Sequence, residues 1–217
     1  MPRPPRVAHV DELPSLPVAG GARTLRPVRR QLGVGAFGVN AYSAAASGDA
    51  LIEDHDETTA AAGRHEELYV VVRGHAHFTV DGDEIDAPAG TLVFVPDVAS
   101  RRAAVAAAPD TVALVIGGRA GAAYEPSPWE DALLAAAFAA SGDPERALAL
   151  AGEALAAHPD HPHTLYNVAC AEALCGERDR ALEHLRRAVE LEPQCGEWAR
   201  ADADFASLRD DPAFPAP

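Results

Sequence analysis

Glu67-Leu68-Tyr69-Val70-Val71-Val72-Arg73-Gly74-His75-Ala76-His77-Phe78-Thr79-Val80-Asp81-Gly82 is the stretch whose reading decides the fold of the N-terminal half. Glu67 to Val72 and His75 to Val80 are short runs rich in β-branched and aromatic residues, bounded by turn signals. Asp81-Gly82 places a residue tolerant of positive φ before glycine, as a tight hairpin turn requires, so consecutive strands here are expected to be antiparallel. Similar runs occur at Phe37 to Tyr42, Leu51 to Glu53, Thr91 to Val95 and Thr111 to Ile116. Many short strands joined by hairpins must hide their edges, and closure into a barrel or double-sheet jelly roll is the usual solution.

After Gly117-Gly118 the apolar period lengthens from two to that of a helix. Ser127-Pro128-Trp129-Glu130 offers a helix start with an N-cap serine, a proline in the first turn and a capping-box glutamate. Gly142, Ala147, Ala154 and Pro159 recur thirty-four residues later as Gly176, Ala181, Ala188 and Pro193, the tetratricopeptide period. Small residues at Ala147 and Ala181 let paired helices approach, and the two prolines end the second helix of each pair. The segment therefore resembles the tetratricopeptide-repeat family, although Asp131 and Leu165 stand where that family often holds tryptophan. Glu197 through Phe214 resembles a truncated capping helix. Two repeats and a cap are few for an independent solenoid, so the helices are expected to pack on the barrel.

Upstream, Pro2, Pro4, Pro5, Pro14, Pro17 and Gly20-Gly21 favour an extended arm. Arg23, Arg26, Arg29 and Arg30 read as a solvated strand edge, with an anionic-ligand patch as the alternative. The expected organisation is an arm over 1–24, a barrel over 25–118, a linker over 119–127 and helices over 128–217, in units 128–161 and 162–195 with a C-terminal cap.

The chain has 217 residues, is 48% apolar and 24% charged, and carries a formal charge of −15. That balance disfavours a duplex-binding surface, which needs clustered positive charge, and no nucleic-acid partner is expected. All 18 basic residues are arginine, which removes Schiff-base and phosphate-loop lysine chemistry. Cys170, Cys175 and Cys195 lack zinc-knuckle spacing and read as buried thiols in a reducing compartment. No run approaches eighteen apolar residues and no signal-peptide core is present, so no membrane partner is expected and a cytoplasmic location is.

Glu67 and Gly74 match the second half of the first cupin motif, glutamate, six residues, glycine. Gly90 and Pro96 match the second motif, which runs glycine, five residues, proline, one residue, glycine, two residues, histidine. Residues 33 to 118 thus resemble the cupin family. The fold class implied is α+β multidomain: an antiparallel cupin-type β-barrel or jelly roll followed by an all-α tetratricopeptide-like module of helical hairpins. The departures concern the metal site. His55-Asp56-Glu57 sits near the place of the family's His-x-His, but nine residues separate Glu57 from Glu67. Val98 replaces the second motif's second glycine, and Arg101 stands where the fourth ligand histidine would be.

In active cupins the histidines and glutamate converge on a divalent metal with open positions for substrate. The resemblance implies His55, Glu57 and Glu67 as the ligands here, with His65 as a loop donor. Arg101 opposes this, because a fixed cation repels a metal and attracts carboxylates, so an Arg101 ion pair with Glu67 or Glu57 is expected in its place. Tyr69 shares parity with Glu67 and Val71 and is expected to line the cavity, whereas Glu66 alternates to the other face. His75 and His77 alternate with Ala76 and Phe78; a solvated outer face is expected, with a metal pair as the alternative. His9, His158, His161 and His163 read as polar turn residues and, at His161, as a helix cap.

Three functional classes are compatible with these residues. The first is a non-enzymatic or sensory barrel that binds a small polar ligand, or none, through Tyr69, Arg101, Glu67 and His55 without a cofactor, joined to a repeat module that docks a protein partner. The second is a metal-dependent isomerase or dioxygenase using His55, Glu57 and Glu67 on a small polar metabolite. The third is a structural module that dimerises through barrel strands.

Overall fold

The computed structural model describes residues 5–18, 23–59 and 62–215, which divide into two units, Met1–Pro126 and Ser127–Pro217. In the first unit the chain runs through β1 (Leu16–Val18), β2 (Arg23–Arg26), a short helix α1 (Val28–Leu32), β3 (Gly38–Ala44), β4 (Ala50–His55) and β5 (Glu66–Arg73). It continues through β6 (His75–Val80), β7 (Asp83–Pro88), β8 (Leu92–Val95), β9 (Arg102–Ala106) and β10 (Thr111–Gly118). One sheet has the order β1-β2-β3-β10-β5-β8 and the other β4-β9-β6-β7. Every pairing in both is antiparallel.

The inner faces supply one core, with Val71, Tyr69 and Ala113 from the first sheet against Phe78, Ala76 and Ala104 from the second. The rings of Tyr69 and Phe78 lie 5.3 Å apart, and Phe78 is fully buried. Truncating such a residue to alanine typically costs about 3–5 kcal/mol. At Asp81-Gly82 both φ values are positive, 52° and 91°, as a two-residue hairpin between twisted strands demands.

Gly74 turns the chain from one sheet into the other. Its φ is +77°, and a Cβ there would lie 2.5 Å from Thr111 Oγ1 and 2.7 Å from Thr111 Cα. Thr111 fastens the corner by accepting the His75 N–H at 3.2 Å and donating to the Ala108 carbonyl at 2.6 Å.

Several sequence expectations are corrected. Pro2, Pro4 and Gly20-Gly21 fall outside the described residues, but the rest of the supposed arm is not merely extended chain, because β1 and β2 join the first sheet and Leu13, Leu16 and Leu25 are buried. Apolar residues at alternating positions draw this segment into the core despite its prolines. Arg23 and Arg26 are not a solvated edge either. Arg23 Nη2 meets Glu53 Oε1 at 2.7 Å, and Arg26 Nη1 donates to the Val10 and Leu13 carbonyls at 3.2 and 3.1 Å. Residues 119–126, expected as a linker, lie within the first unit, where Arg119 Nε donates to the Gly63 carbonyl at 2.7 Å and the Tyr124 ring sits 5.6 Å from that of His65.

The second unit holds α2 (Glu130–Ala140), α3 (Pro144–Ala157), α4 (Pro162–Leu174), α5 (Arg178–Leu191) and α6 (Gln194–Ala201), then a 3-10 turn at Ala203–Phe205. Gly142 and Gly176 follow α2 and α4 with φ of 84° and 80°, a left-handed stop that glycine adopts without strain. Asp143 caps α3 through the Arg146 N–H at 3.1 Å, and His161 caps α4 through the Thr164 N–H at 3.4 Å. The expected serine cap of α2 is absent: Trp129 occupies the N-cap without a side-chain bond. Ala147 and Ala181 are fully buried, the close approach that their small side chains permit.

Two polar clusters lie inside this unit. Glu172, fully buried, meets His184 Nδ1 at 2.7 Å and Arg180 Nη2 at 2.8 Å. Asp202 accepts the Tyr166 hydroxyl at 2.7 Å and the Asp204 N–H at 3.1 Å. Burial, together with the charge of Asp202, pushes the Asp204 carboxyl up to about 6. Burial likewise raises the Cys170 thiol well above its ordinary range and pushes Cys195 up to about 12, so neither supplies a ready thiolate. No helix among the described residues is long and apolar enough to cross a membrane.

Candidate functional site

Alternation along β5 turns Glu67, Tyr69 and Val71 inward. Glu67 Oε2 is a hub that accepts the Tyr69 hydroxyl at 2.5 Å and Arg102 Nε at 3.1 Å and faces His55 Nε2 at 3.3 Å. Glu57 completes the cluster, with Oε1 4.0 Å from His55 Nε2 and Oε2 accepting the His65 N–H at 3.1 Å. The structure therefore brings together His55, Glu57, Glu67 and Tyr69.

It does not bring Arg101. That side chain is 60% exposed and donates from Nε and Nη2 to Asp54 Oδ2 at 3.1 and 2.9 Å. The inward arginine is Arg102, whose side chain is fully buried and whose Nη1 donates to the Ser100 carbonyl at 2.7 Å. Counting along the motif lands on Arg101, but the pleat of β9 puts Arg102, Ala104 and Ala106 on the buried face.

A second local device seats His55. Ile52 pairs with Ala104 and His55 with Arg102, so three residues of β4 span the length of two on β9. Such a bulge reverses the parity of the residues beyond it. It carries His55 inward, opposite Arg102, and leaves Asp54 outside for Arg101.

The electrostatics derive from these contacts. His55 Nδ1 lies 2.8 Å from the Glu53 carbonyl, an acceptor only, while Nε2 faces a carboxylate. Doubly protonated imidazole satisfies both. Burial disfavours that cation, but the hydrogen bond and charge of Glu67 and the bond to Glu53 outweigh it and hold the pKa of His55 above its ordinary value. Burial, then the charge of Glu67, raises Glu57 and makes it resist ionisation. Burial also opposes ionisation of Glu67, yet the bonds from His55 and Tyr69 and the charge of Arg102 prevail and lower its pKa. Burial and the neighbouring Glu67 raise Tyr69, which stays a neutral donor. Arg102 Nη2 is buried without a hydrogen-bond partner among the described residues.

Comparison with known proteins bears on each unit. Residues 138–204 match the family model of the tetratricopeptide repeat. The helical unit is tetratricopeptide-like over most of its length. The first unit is similar to solved cupin-fold structures. KdgF from Halomonas sp. is 13% identical with a TM-score of 0.38, covering 51% of this chain and 86% of that one. A putative sugar phosphate isomerase from Acidithiobacillus ferrooxidans is 24% identical with a TM-score of 0.39, covering 46% of this chain and 62% of that one. A cupin protein from Bacteroides fragilis is 22% identical with a TM-score of 0.35, covering 52% of this chain and 90% of that one. A search of the curated proteins finds no match. In this tetratricopeptide-like unit Ala147 and Ala181, and Gly142 and Gly176, are the repeated positions that pack and end the helices.

His55, Glu57 and Glu67 each offer a donor atom within 4.8 Å of the others, a spacing from which a divalent ion could be held. The chemistry of the set is less favourable. Arg102 brings a permanent charge to the Glu67 oxygen, and the upward shifts of Glu57 and His55 make protons compete with a metal for their donor atoms.

Proposed function

We propose that the barrel binds a small anionic or polar ligand without a metal, and that the tetratricopeptide-repeat module docks a protein segment, giving a sensory or scaffolding protein rather than an enzyme. The observation that carries this reading is the buried Arg102 guanidinium 3.1 Å from Glu67 Oε2. A metal ion drawn to Glu67 would have to displace a cation that cannot lose its charge, in a setting where unscreened like charges repel strongly. Without a metal the cluster leans towards positive charge. Arg102 and His55 are positive or inclined to be so, Glu67 is negative and Glu57 resists ionisation, which leaves positive character for an anion. Arg102 Nη2, buried and without a hydrogen-bond partner among the described residues, is a donor that an anion would satisfy. On the helical side, a chain of charge −15 favours partners with basic or apolar anchors.

The test is elemental analysis of tag-free protein by plasma mass spectrometry, paired with thermal-shift titration against small carboxylates and phosphate esters. Stabilisation by an anion that vanishes in Arg102→Met supports the reading. Stoichiometric iron, manganese, nickel or zinc that disappears in Glu67→Ala would overturn it in favour of a metal-dependent isomerase or dioxygenase built on His55, Glu57 and Glu67, whose convergence is what speaks for that alternative.

A further inference from the structure

We propose that His75, His77 and Asp86 form a separate binding site for a divalent transition-metal ion on the outer face of the four-stranded sheet. His75 and His77 sit two residues apart on β6, so both imidazoles emerge from the face opposite Ala76 and Phe78, which are buried in the core. Antiparallel register places Asp86 of β7 directly opposite His77. Asp86 Oδ1 lies 2.6 Å from His75 Nε2 and 3.2 Å from His77 Nδ1, and the two rings are 5.2 Å apart.

One donor atom from each of the three side chains lies within 4.8 Å of the other two, close enough for small side-chain rotations to bring them onto one ion. Bonds of about 2.0–2.1 Å to nitrogen and oxygen put neighbouring ligand atoms roughly 3 Å apart. An ion on this face would give the two imidazoles and the carboxylate one common partner. Two imidazoles and a carboxylate suit zinc, nickel, copper or iron(II) over magnesium or calcium, which take oxygen ligands. The side chains are 36%, 50% and 66% exposed, so water can fill the remaining positions and the ion can enter directly. Glu84, opposite Thr79 on the same face, adds negative potential two residues along β7.

The frame is rigid. The ladder from His75–Pro88 to Val80–Asp83 runs without a register shift, and a site on strands holds its donors more firmly than one on a loop. In the barrel cluster an arginine lies against the carboxylate; here Asp86 meets the two imidazoles instead.

Isothermal titration of the full, tag-free chain with zinc alone tests the site, using wild type, His77→Ala, Asp86→Asn and Glu67→Gln, with circular dichroism confirming that each is folded. The expected result is a binding event weakened at least about tenfold in His77→Ala and in Asp86→Asn and unchanged in Glu67→Gln. Zinc-dependent shifts of the His75 and His77 ring signals in nuclear magnetic resonance spectra should accompany it. No zinc binding by the wild type, binding indifferent to both outer substitutions, or binding lost only in Glu67→Gln would each overturn the proposal, the last by assigning the ion to the barrel cluster.

Discussion

Arg102 of β9 and Glu67 of β5 meet between the two sheets, Nε to Oε2 at 3.1 Å, with the arginine side chain fully buried. Each sheet thus contributes one charge to a pair that neither could bury alone. Removing one partner of such a pair usually costs more than replacing both, because the survivor is left charged and dry. Arg102→Met is therefore expected to lower unfolding free energy by about 3 kcal/mol or more, and Arg102→Met/Glu67→Leu by less than the two singles combined. Urea denaturation of the four proteins measures this; strict additivity would show that the pair is not coupled.

Acid response in the helical unit is set in part by Asp204, whose carboxyl is pushed up to about 6. An acid with a raised folded-state pKa contributes stability that is complete below its unfolded value, about 4, and lost as pH rises through the folded one. Helix melting temperature should accordingly fall between about pH 4 and pH 6 and flatten in Asp204→Asn. An unchanged slope in that variant would remove Asp204 from the account.

The corner at Gly74 should tolerate no side chain. In Gly74→Ala the new methyl meets the Thr111 backbone, and a positive φ adds strain of about 1–2 kcal/mol. Gly90 has φ +93° but open space around it, so Gly90→Ala carries the strain alone. Comparing the two midpoints isolates the collision; equal losses would mean that Thr111 simply moves.

Ala147 and Ala181 should reject enlargement. Both are fully buried, and added methylenes in a filled interior cost about 1–3 kcal/mol. Ala181→Leu is expected to lower the helix melting temperature while leaving the barrel's near-ultraviolet signal in place, and a rise would show unfilled space beside α5.

Period-two alternation in Glu67 to Val80 is enough to read β5, β6 and their parity, hence the inward Glu67 and Tyr69 and the outward His75 and His77. The thirty-four-residue recurrence is enough for the repeat. Structure without a pattern of its own resists reading. β9, Arg-Ala-Ala-Val-Ala, has small residues on both faces, so no alternation announces a strand or identifies Arg102 as the inward arginine. β7 is half acidic, which hides Asp86 as the partner of the two histidines. The bulge in β4 is a property of its pairing with β9, and nothing in Ala50–His55 states that His55 changes face. Trp129 displaces Ser127 from the N-cap because the helix begins later than its capping motif.

Strand order has a consequence for the chain as it is made. β1, β2 and β3 pair among themselves, and β3 is hydrogen-bonded to the rest of the first sheet through β10, with Ala44 opposite Thr111. On the ribosome the first three strands therefore emerge roughly seventy residues before the strand that docks them, an interval of about 4–14 s at ordinary rates of synthesis. Throughout that wait Leu16 and Leu25, paired with each other and both buried in the finished protein, belong to a nascent meander whose apolar face is still open to whatever else is nearby.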